Sequence, residues 1–329
     1  MNGRRSARAA AAAAVLALAA CAHAPAPSAP PADFAVAGPA HGALRFIAYG
    51  DTRFTAPAER TASIAPARRA LVGAIAAESP AALFLTGDLP WHGGDPADYA
   101  VYRDETAAWR GRGLVVLPTL GNHEFQQCAE RDCLENWWRE FPALQGRRWY
   151  SVALGRRILA LALDSDAPLV AGSPQGRWLD ATLASLPRSV DFVLVFLHHP
   201  PVADLQTGSG ASHNPRPNEQ ALAERLRLAA AAGRARFLVC AGHIHNYERR
   251  EADGIVYLVS GGGGAQPAEV VRDAQDRYRG PDFPNFHYLR FVLEGDALRG
   301  EMLRLEDYGA DAPQHFERRD AFELKAAAR

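Results

Sequence analysis

The sequence predicts an α/β layered fold, and two observations carry that prediction. Short β-rich runs alternate with Ala-, Leu- and Arg-rich stretches of helical spacing. Five of the β-rich runs end in clusters of Asp, Asn or His, at the strand ends where open α/β sheets bind ligands.

In chain order, a strand is predicted over Leu44–Tyr49, followed by Gly50-Asp51. A helix over Ala65–Glu78 leads to a strand over Ala82–Leu85, which runs into Thr86-Gly87-Asp88. A strand over Leu114–Leu117 precedes Gly121-Asn122-His123-Glu124. The 37 residues from Asp51 to Asp88 and the 34 from Asp88 to Asn122 suit β-α-β crossovers. A strand over Ile158–Leu163 and a helix over Trp178–Ser185 lead to a strand over Phe192–Leu197, ending in His198-His199-Pro200. A helix over Asn218–Ala232 precedes a strand over Phe237–Ala241, ending in Gly242-His243-Ile244-His245. A strand over Ile255–Ser260 runs into Gly261–Gly264, which lacks the spacing of a nucleotide loop and reads as a tight turn near the other clusters. Phe286–Glu294 and Ala297–Leu305 read as a hairpin about Gly295-Asp296. All five polar clusters are expected on one edge of one sheet.

Ahead of this pattern lies a segment of different character. Arg4, Arg5 and Arg8 precede an Ala-rich apolar stretch ending Leu18-Ala19-Ala20-Cys21. A basic start, a short apolar stretch and small residues before a cut make a secretory signal over 1–20, too short to span a bilayer. Its end resembles the lipobox of bacterial lipoproteins, which implies lipidation of Cys21, export, and anchoring at the periplasmic face. His23 behind it favours the outer membrane, by the same resemblance. Residues 21–42, with Pro25, Pro27, Pro30, Pro31 and Pro39, read as a spacer. The domain is expected over 43–305, and the weakly patterned stretch 306–329 as a charged tail that can also belong to the domain.

Composition excludes some classes of partner. With 36 Lys and Arg against 37 Asp and Glu, no strong positive field recruits nucleic acid, and no nucleic-acid-binding motif is present. Hydrophobic residues at 48% and charged residues at 22% fit a globular chain, not a disordered one. Membrane contact is expected through the N-terminal lipid alone. Cys128 and Cys133 could close a small loop disulfide after export, while Cys240 sits in an apolar run and reads as a buried free thiol.

Asp, Asn and His are oxygen and nitrogen donors of the kind that hold Mn, Fe or Zn, and no thiolate set competes. Gly50-Asp51, Gly87-Asp88, Gly121-Asn122-His123-Glu124, Val195-Phe196-Leu197-His198 and Gly242-His243-Ile244-His245, in that order, resemble the calcineurin-like metallophosphoesterase superfamily, which includes the purple acid phosphatases. The resemblance spans residues 44–264. It implies a four-layer αββα sandwich holding one or two divalent or trivalent ions and a phosphoester substrate. It implies that Asp88 bridges two ions, that Asp51 and His245 bind the first, and that Asn122, His198 and His243 bind the second. It implies a metal-activated hydroxide attacking phosphorus, with His123 as acid catalyst.

Two positions depart from the family. Many members have a histidine where this chain has Arg53, and purple acid phosphatases have a tyrosine where it has Trp91. A guanidinium has no lone pair and an indole N–H only donates, so neither replaces the missing ligand. The first ion should therefore bind more weakly than the second, and a one-metal enzyme becomes an option. Arg53 is instead suited to clamp phosphate oxygens. His199 and His213 are weaker candidates for the substrate side. The lost ligand also motivates a different class of function, a catalytically inactive binding lipoprotein of the same fold. A metal-dependent amidohydrolase using His243 and His245 is a third reading, against which the Gly-Asn-His-Glu and Gly-Asp clusters speak.

Overall fold

The computed structural model describes residues 32–39, 42–308 and 314–327. The predicted signal over 1–20 and Cys21 lie outside them. Thirteen strands and six α-helices are described: β1 (Phe34–Val36), β2 (Leu44–Tyr49), α1 (Ala65–Glu78), β3 (Ala82–Leu85), α2 (Pro96–Glu105), α3 (Ala107–Gly111), β4 (Val115–Pro118), α4 (Glu130–Glu140), β5 (Tyr150–Leu154), β6 (Ile158–Ala162), α5 (Pro174–Ala184), β7 (Phe192–Leu197), α6 (Pro217–Ala231), β8 (Arg236–Ala241), β9 (Tyr247–Ala252), β10 (Ile255–Ser260), β11 (His287–Glu294), β12 (Ala297–Leu305) and β13 (Phe316–Lys325). Among the described residues, no helix is long and apolar enough to cross a membrane.

Helix starts follow local chemistry. Proline stands in the first turn of α1, α2, α5 and α6, where its missing N–H has no intrahelical partner to lose. The Asp95 side chain accepts the Ala97 N–H to cap α2, and Ser173 accepts the Gly176 N–H to cap α5. Each cap satisfies a donor that the first turn leaves free.

The strands form two sheets. One has the order β1-β5-β6-β7-β8-β10-β9, and the other β13-β12-β11-β2-β3-β4. Alternate side chains of each strand point to opposite faces. Phe46 and Ala48 of β2, with Phe84 of β3, face the first sheet's Leu194 and Phe196 in a shared inner core. Phe84 and Phe196 stack with ring centroids 4.0 Å apart, joining the sheets at their middle. The other faces are covered too. Ile47, Tyr49, Leu83 and Leu85 pack against Leu71 and Ile75 of α1 and Trp109 of α3. Val193, Val195 and Val239 pack against Leu179 of α5 and Leu222 and Leu226 of α6. Burial on both faces explains why these strands read as nearly continuous apolar runs. The four layers are α, β, β and α, as the resemblance implied.

Several expectations need adjustment. The five polar clusters do not share one sheet edge: β2, β3 and β4 belong to one sheet, and β7 and β8 to the other. Phe34–Val36, inside the expected spacer, pairs in parallel with β5. For the charged stretch 306–329, expected as a tail or as part of the domain, the second holds: it contributes β13, antiparallel to β12. Its charges belong to an edge strand, where they discourage pairing with other chains. β9, Tyr-Glu-Arg-Arg-Glu-Ala, went unpredicted for the same reason, because its polarity conceals an edge strand. The hairpin of β11 and β12 forms about Gly295-Asp296 as expected. Cys128 and Cys133 are disulfide-bonded, and Cys240 is a buried free thiol.

Candidate metal centre

The parallel strands β2, β3, β4, β7 and β8 all end at the same side of the sandwich, so their following loops meet there. The backbone in those loops is unusual. Asp51, Arg53, Asp88 and His243 all have positive φ, at 59°, 44°, 53° and 72°. Non-glycine residues seldom occupy this region, and its use at four neighbouring positions marks a site that the surrounding structure holds in place. Gly87 at φ 85° completes one turn; a Cβ there would come within 2.8 Å of the Gly121 nitrogen and 2.9 Å of His198 Nδ1.

His198, fully buried, is at the centre. Its Nδ1 lies 2.9 Å from the Thr86 carbonyl, which can only accept, so Nδ1 carries the proton and the Nε2 lone pair faces the site. That Nε2 lies 3.0 Å from Asn122 Oδ1, 3.2 Å from His243 Nδ1 and 3.2 Å from Asp88 Oδ1. Three of these atoms are lone-pair acceptors, and so is His243 Nδ1 in one tautomer. Acceptors at such distances require a cation among them, either a proton or a metal. Burial opposes charge on His198, but Asp88 and Asp51 outweigh it and raise its pKa. Asp88 is buried, which favours its neutral form, yet His198, His123 and Arg53 hold its carboxyl far below the usual range. The donor set therefore fits a cation at the second position. Ligand atoms of Asp51, Asp88 and His198 lie within 4.8 Å of one another, as do those of His198, His199 and His243.

The first position is built differently. Both Asp51 carboxylate oxygens are 3.0 Å from the His243 N–H, and His245 Nε2 lies 3.5 Å from Asp51 Oδ1. His245 Nδ1 lies 2.6 Å from the Gln266 carbonyl, so its Nε2 lone pair faces Asp51, without a hydrogen-bond partner among the described residues. Arg53 reaches in from the side. Its Nη2 donates to Asp88 Oδ2 at 3.3 Å, and its guanidinium lies over the Trp91 ring at 5.1 Å.

His123 stands beside Asp88. Its backbone N–H donates to Asp88 Oδ1 at 3.0 Å, its ring stacks on Trp91 at 4.7 Å, and its Nε2 is 3.7 Å from Asp88 Oδ2. The Trp91 carbonyl, 2.6 Å from Nδ1, leaves Nε2 as the atom facing the site. Burial lowers its pKa to about 4, against the opposing pull of Asp88. His199 Nδ1 bonds Ser165 Oγ at 2.8 Å, and its ring lies 4.3 Å from that of His243. The His213 ring is tilted against that of His243, with centroids 5.0 Å apart, which brings its loop beside the site. His92, by contrast, is engaged with Asp98, and Trp137 is core.

Sequence reasoning gave Glu124 no role and overlooked Asp166. The Glu124 carboxylate accepts backbone N–H groups of Asp88, Leu89 and Gly121, tying two strand ends together. Asp166 lies 3.9 Å from His199 and, with Asn122, Phe125, Glu130 and Arg148, lines a cleft of about 260 Å³ beside the second position. The signal was present: Asp164-Ser165-Asp166 follows β6 as the other clusters follow their strands. A larger hollow of 720 Å³, lined by Leu186, Asp191 and Ala235 among others, lies before β7 and β8, away from this chemistry.

The calcineurin-like phosphoesterase family model matches residues 44–247. No curated protein matches the chain by sequence. Among solved structures, the purple acid phosphatase PPD1 of yellow lupin (Lupinus luteus) is similar at TM-score 0.65 and 15% identity over 86% of this chain. The chain spans 54% of the lupin enzyme's length. A dimetal phosphatase from Danio rerio is similar at TM-score 0.59 and 15% identity, covering 86% of this chain and 99% of that one. GAP50, described as the anchor in the inner membrane complex of Plasmodium, is similar at TM-score 0.57 and 13% identity, covering 87% and 89%. At such identities the structures show a common fold, while the family model covers more than half of the sequence; the chain belongs to the calcineurin-like phosphoesterase family.

Proposed function

We propose that the protein is a metal-dependent hydrolase of phosphoesters. The observation that carries this reading is the convergence of His198 Nε2, Asn122 Oδ1 and Asp88 Oδ1 within 3.2 Å of the histidine nitrogen, with His123 beside them. A bound metal ion would supply a Lewis acid for the phosphoryl group and lower the pKa of water toward ~7. Asn122, His198, His243 and Asp88 would hold it. Arg53 offers a planar positive group to phosphate oxygens from the Trp91 side. His123 presents Nε2 toward the same space. It is neutral near pH 7 in the free protein, and the negative charge of an arriving phosphate favours its protonated form, which can donate to the leaving oxygen. His199 and His213 line the substrate side next to His243.

The inactive binding lipoprotein is not favoured, because the acid catalyst and the converging donors are retained together. We also propose, from the sequence, that the chain is exported and lipid-anchored through Cys21 at the periplasmic face. Metabolic labelling with radioactive palmitate tests this second point; label retained by a Cys21→Ala variant would contradict it.

The catalytic reading is tested by hydrolysis of p-nitrophenyl phosphate and bis(p-nitrophenyl) phosphate with Mn, Zn or Fe. Activity should depend on metal and vanish in Asp88→Ala. Rates equal to those of that variant with every metal would defeat the reading.

A further inference from the structure

We infer that the Arg53 guanidinium takes the place of the first metal ion, so that each chain holds a single ion, at the Asn122–His198–His243 position. The inference rests on the metal-dependent reading above and specifies its stoichiometry.

Asp88 has two carboxylate oxygens, and the structure gives them different partners. Oδ1 faces His198 at 3.2 Å and belongs to the second position. Oδ2 accepts Arg53 Nη2 at 3.3 Å and lies 3.7 Å from His123 Nε2, so neither Asp88 oxygen is left without a partner. With Oδ2 engaged, the first position retains Asp51 and His245, one fewer than the three protein ligands that usually hold a catalytic ion. The guanidinium is permanently charged and has no lone pair, so it repels a cation there and contributes nothing to binding one.

Arg53 is also built into its place. Its N–H donates to the Asp88 carbonyl at 3.0 Å. Its own carbonyl accepts Arg68 Nη1 at 3.1 Å and Ser63 Oγ at 3.2 Å. Arg68 is fully buried and paired with Glu105 at 2.9 Å, so this support is itself fixed. The Trp91 ring supports the guanidinium from one side, at the position where a tyrosine ligand would stand in purple acid phosphatases. The two departures from the family pattern therefore form one unit, a cation resting on an aromatic face. This cation is covalently part of the chain and is not removed by chelators.

The test counts metal. Purified full-length protein is reconstituted with Mn(II), freed of loosely bound ions and measured by elemental mass spectrometry and electron paramagnetic resonance. The wild type should hold one equivalent and show the hyperfine pattern of an isolated ion. Arg53→His, which restores the family's ligand, should hold two equivalents and show an exchange-coupled spectrum. Two coupled equivalents in the wild type would overturn the inference and leave the hydrolase reading standing. No bound metal in the wild type would overturn both. A single equivalent in a folded Arg53→His protein would show that Arg53 is not what excludes the second ion. The wild-type count decides between one ion and two even if the variant fails to fold.

Discussion

Glu124 accepts the backbone N–H of Asp88 at 3.0 Å, and through its other oxygen the N–H of Leu89 at 2.8 Å. A third N–H, from Gly121, reaches the same carboxylate at 2.7 Å. One buried side chain thus fixes the ends of β3 and β4 and with them the ligand candidates Asp88 and Asn122. Burial and the charge of Asp88 raise the Glu124 pKa to about 7, while the Leu89 and Gly121 N–H groups and the nearby His198 pull the other way.

Replacing Glu124 with Gln puts an NH₂ group against backbone donors. The loss of at least one buried hydrogen bond should cost about 1–3 kcal/mol of stability. Metal affinity should fall roughly 10–100-fold, as it does when groups that orient metal ligands are lost. Urea unfolding and calorimetric metal titration measure the two effects, and a variant unchanged in both would remove the positioning role.

His123→Asn should lower kcat by about 10²–10⁴ for alkyl phosphates, whose leaving oxygen needs a proton. For p-nitrophenyl phosphate, whose leaving group departs as an anion, the loss should be far smaller. Metal content should not change, since the His123 ring is directed at Asp88 Oδ2 and is no part of the converging donor set. Equal losses on both substrates would argue against an acid role.

Gly87→Ala should disturb the centre from behind. The residue sits at φ 85°, and its new Cβ would press on Gly121 and on the His198 ring. Strain in the backbone alone should exceed about 1 kcal/mol. Displacement of His198 from the Thr86 carbonyl should weaken metal binding as well, which separate melting and titration experiments on the variant would register.

Glu248 should make stability depend on pH away from the site. Burial, with the nearby Asp204 and Asp276, raises its pKa to about 8 from the ordinary 4.5, although the Asp204 N–H and Arg272 oppose the shift. The folded state then holds a proton that the unfolded chain has released. The contribution is fully present below about pH 4.5 and is lost as pH rises through about 8. Glu248→Gln should abolish that loss, on the order of a few kcal/mol, and be more stable than wild type at pH 9. Melting temperatures of the two proteins that run parallel from pH 5 to pH 9 would refute the assignment.

Much of this could be read locally. The spans of β2, β3, β7, β10 and α1 were predicted to the residue: a strand buried on both faces is a nearly continuous apolar run, and α1 fills the helical pattern between two of them, whereas the first-turn prolines of α2 and α5 did not reveal where those helices start. β9 and β13 escaped because edge strands carry charge, and α4 because its apolar stripe is narrow: only Cys133, Leu134 and Trp137 are buried. The disulfide was legible from its spacing.

By itself, the sequence determined the order of the five strands that carry the polar clusters, the clusters themselves, and the substitution of Arg53 and Trp91 at two family positions. Tertiary structure alone decided that these clusters belong to two sheets and meet. His198 finds Asn122 across 76 residues, and His243 finds Asp51 across 192. It also decided that Arg53 spends its charge on Asp88 Oδ2. Periodicity and capping are fixed by neighbours a few residues away, whereas the direction of a side chain at a strand end depends on how one sheet packs on another. That packing, centred on Phe84 and Phe196, brings the clusters together.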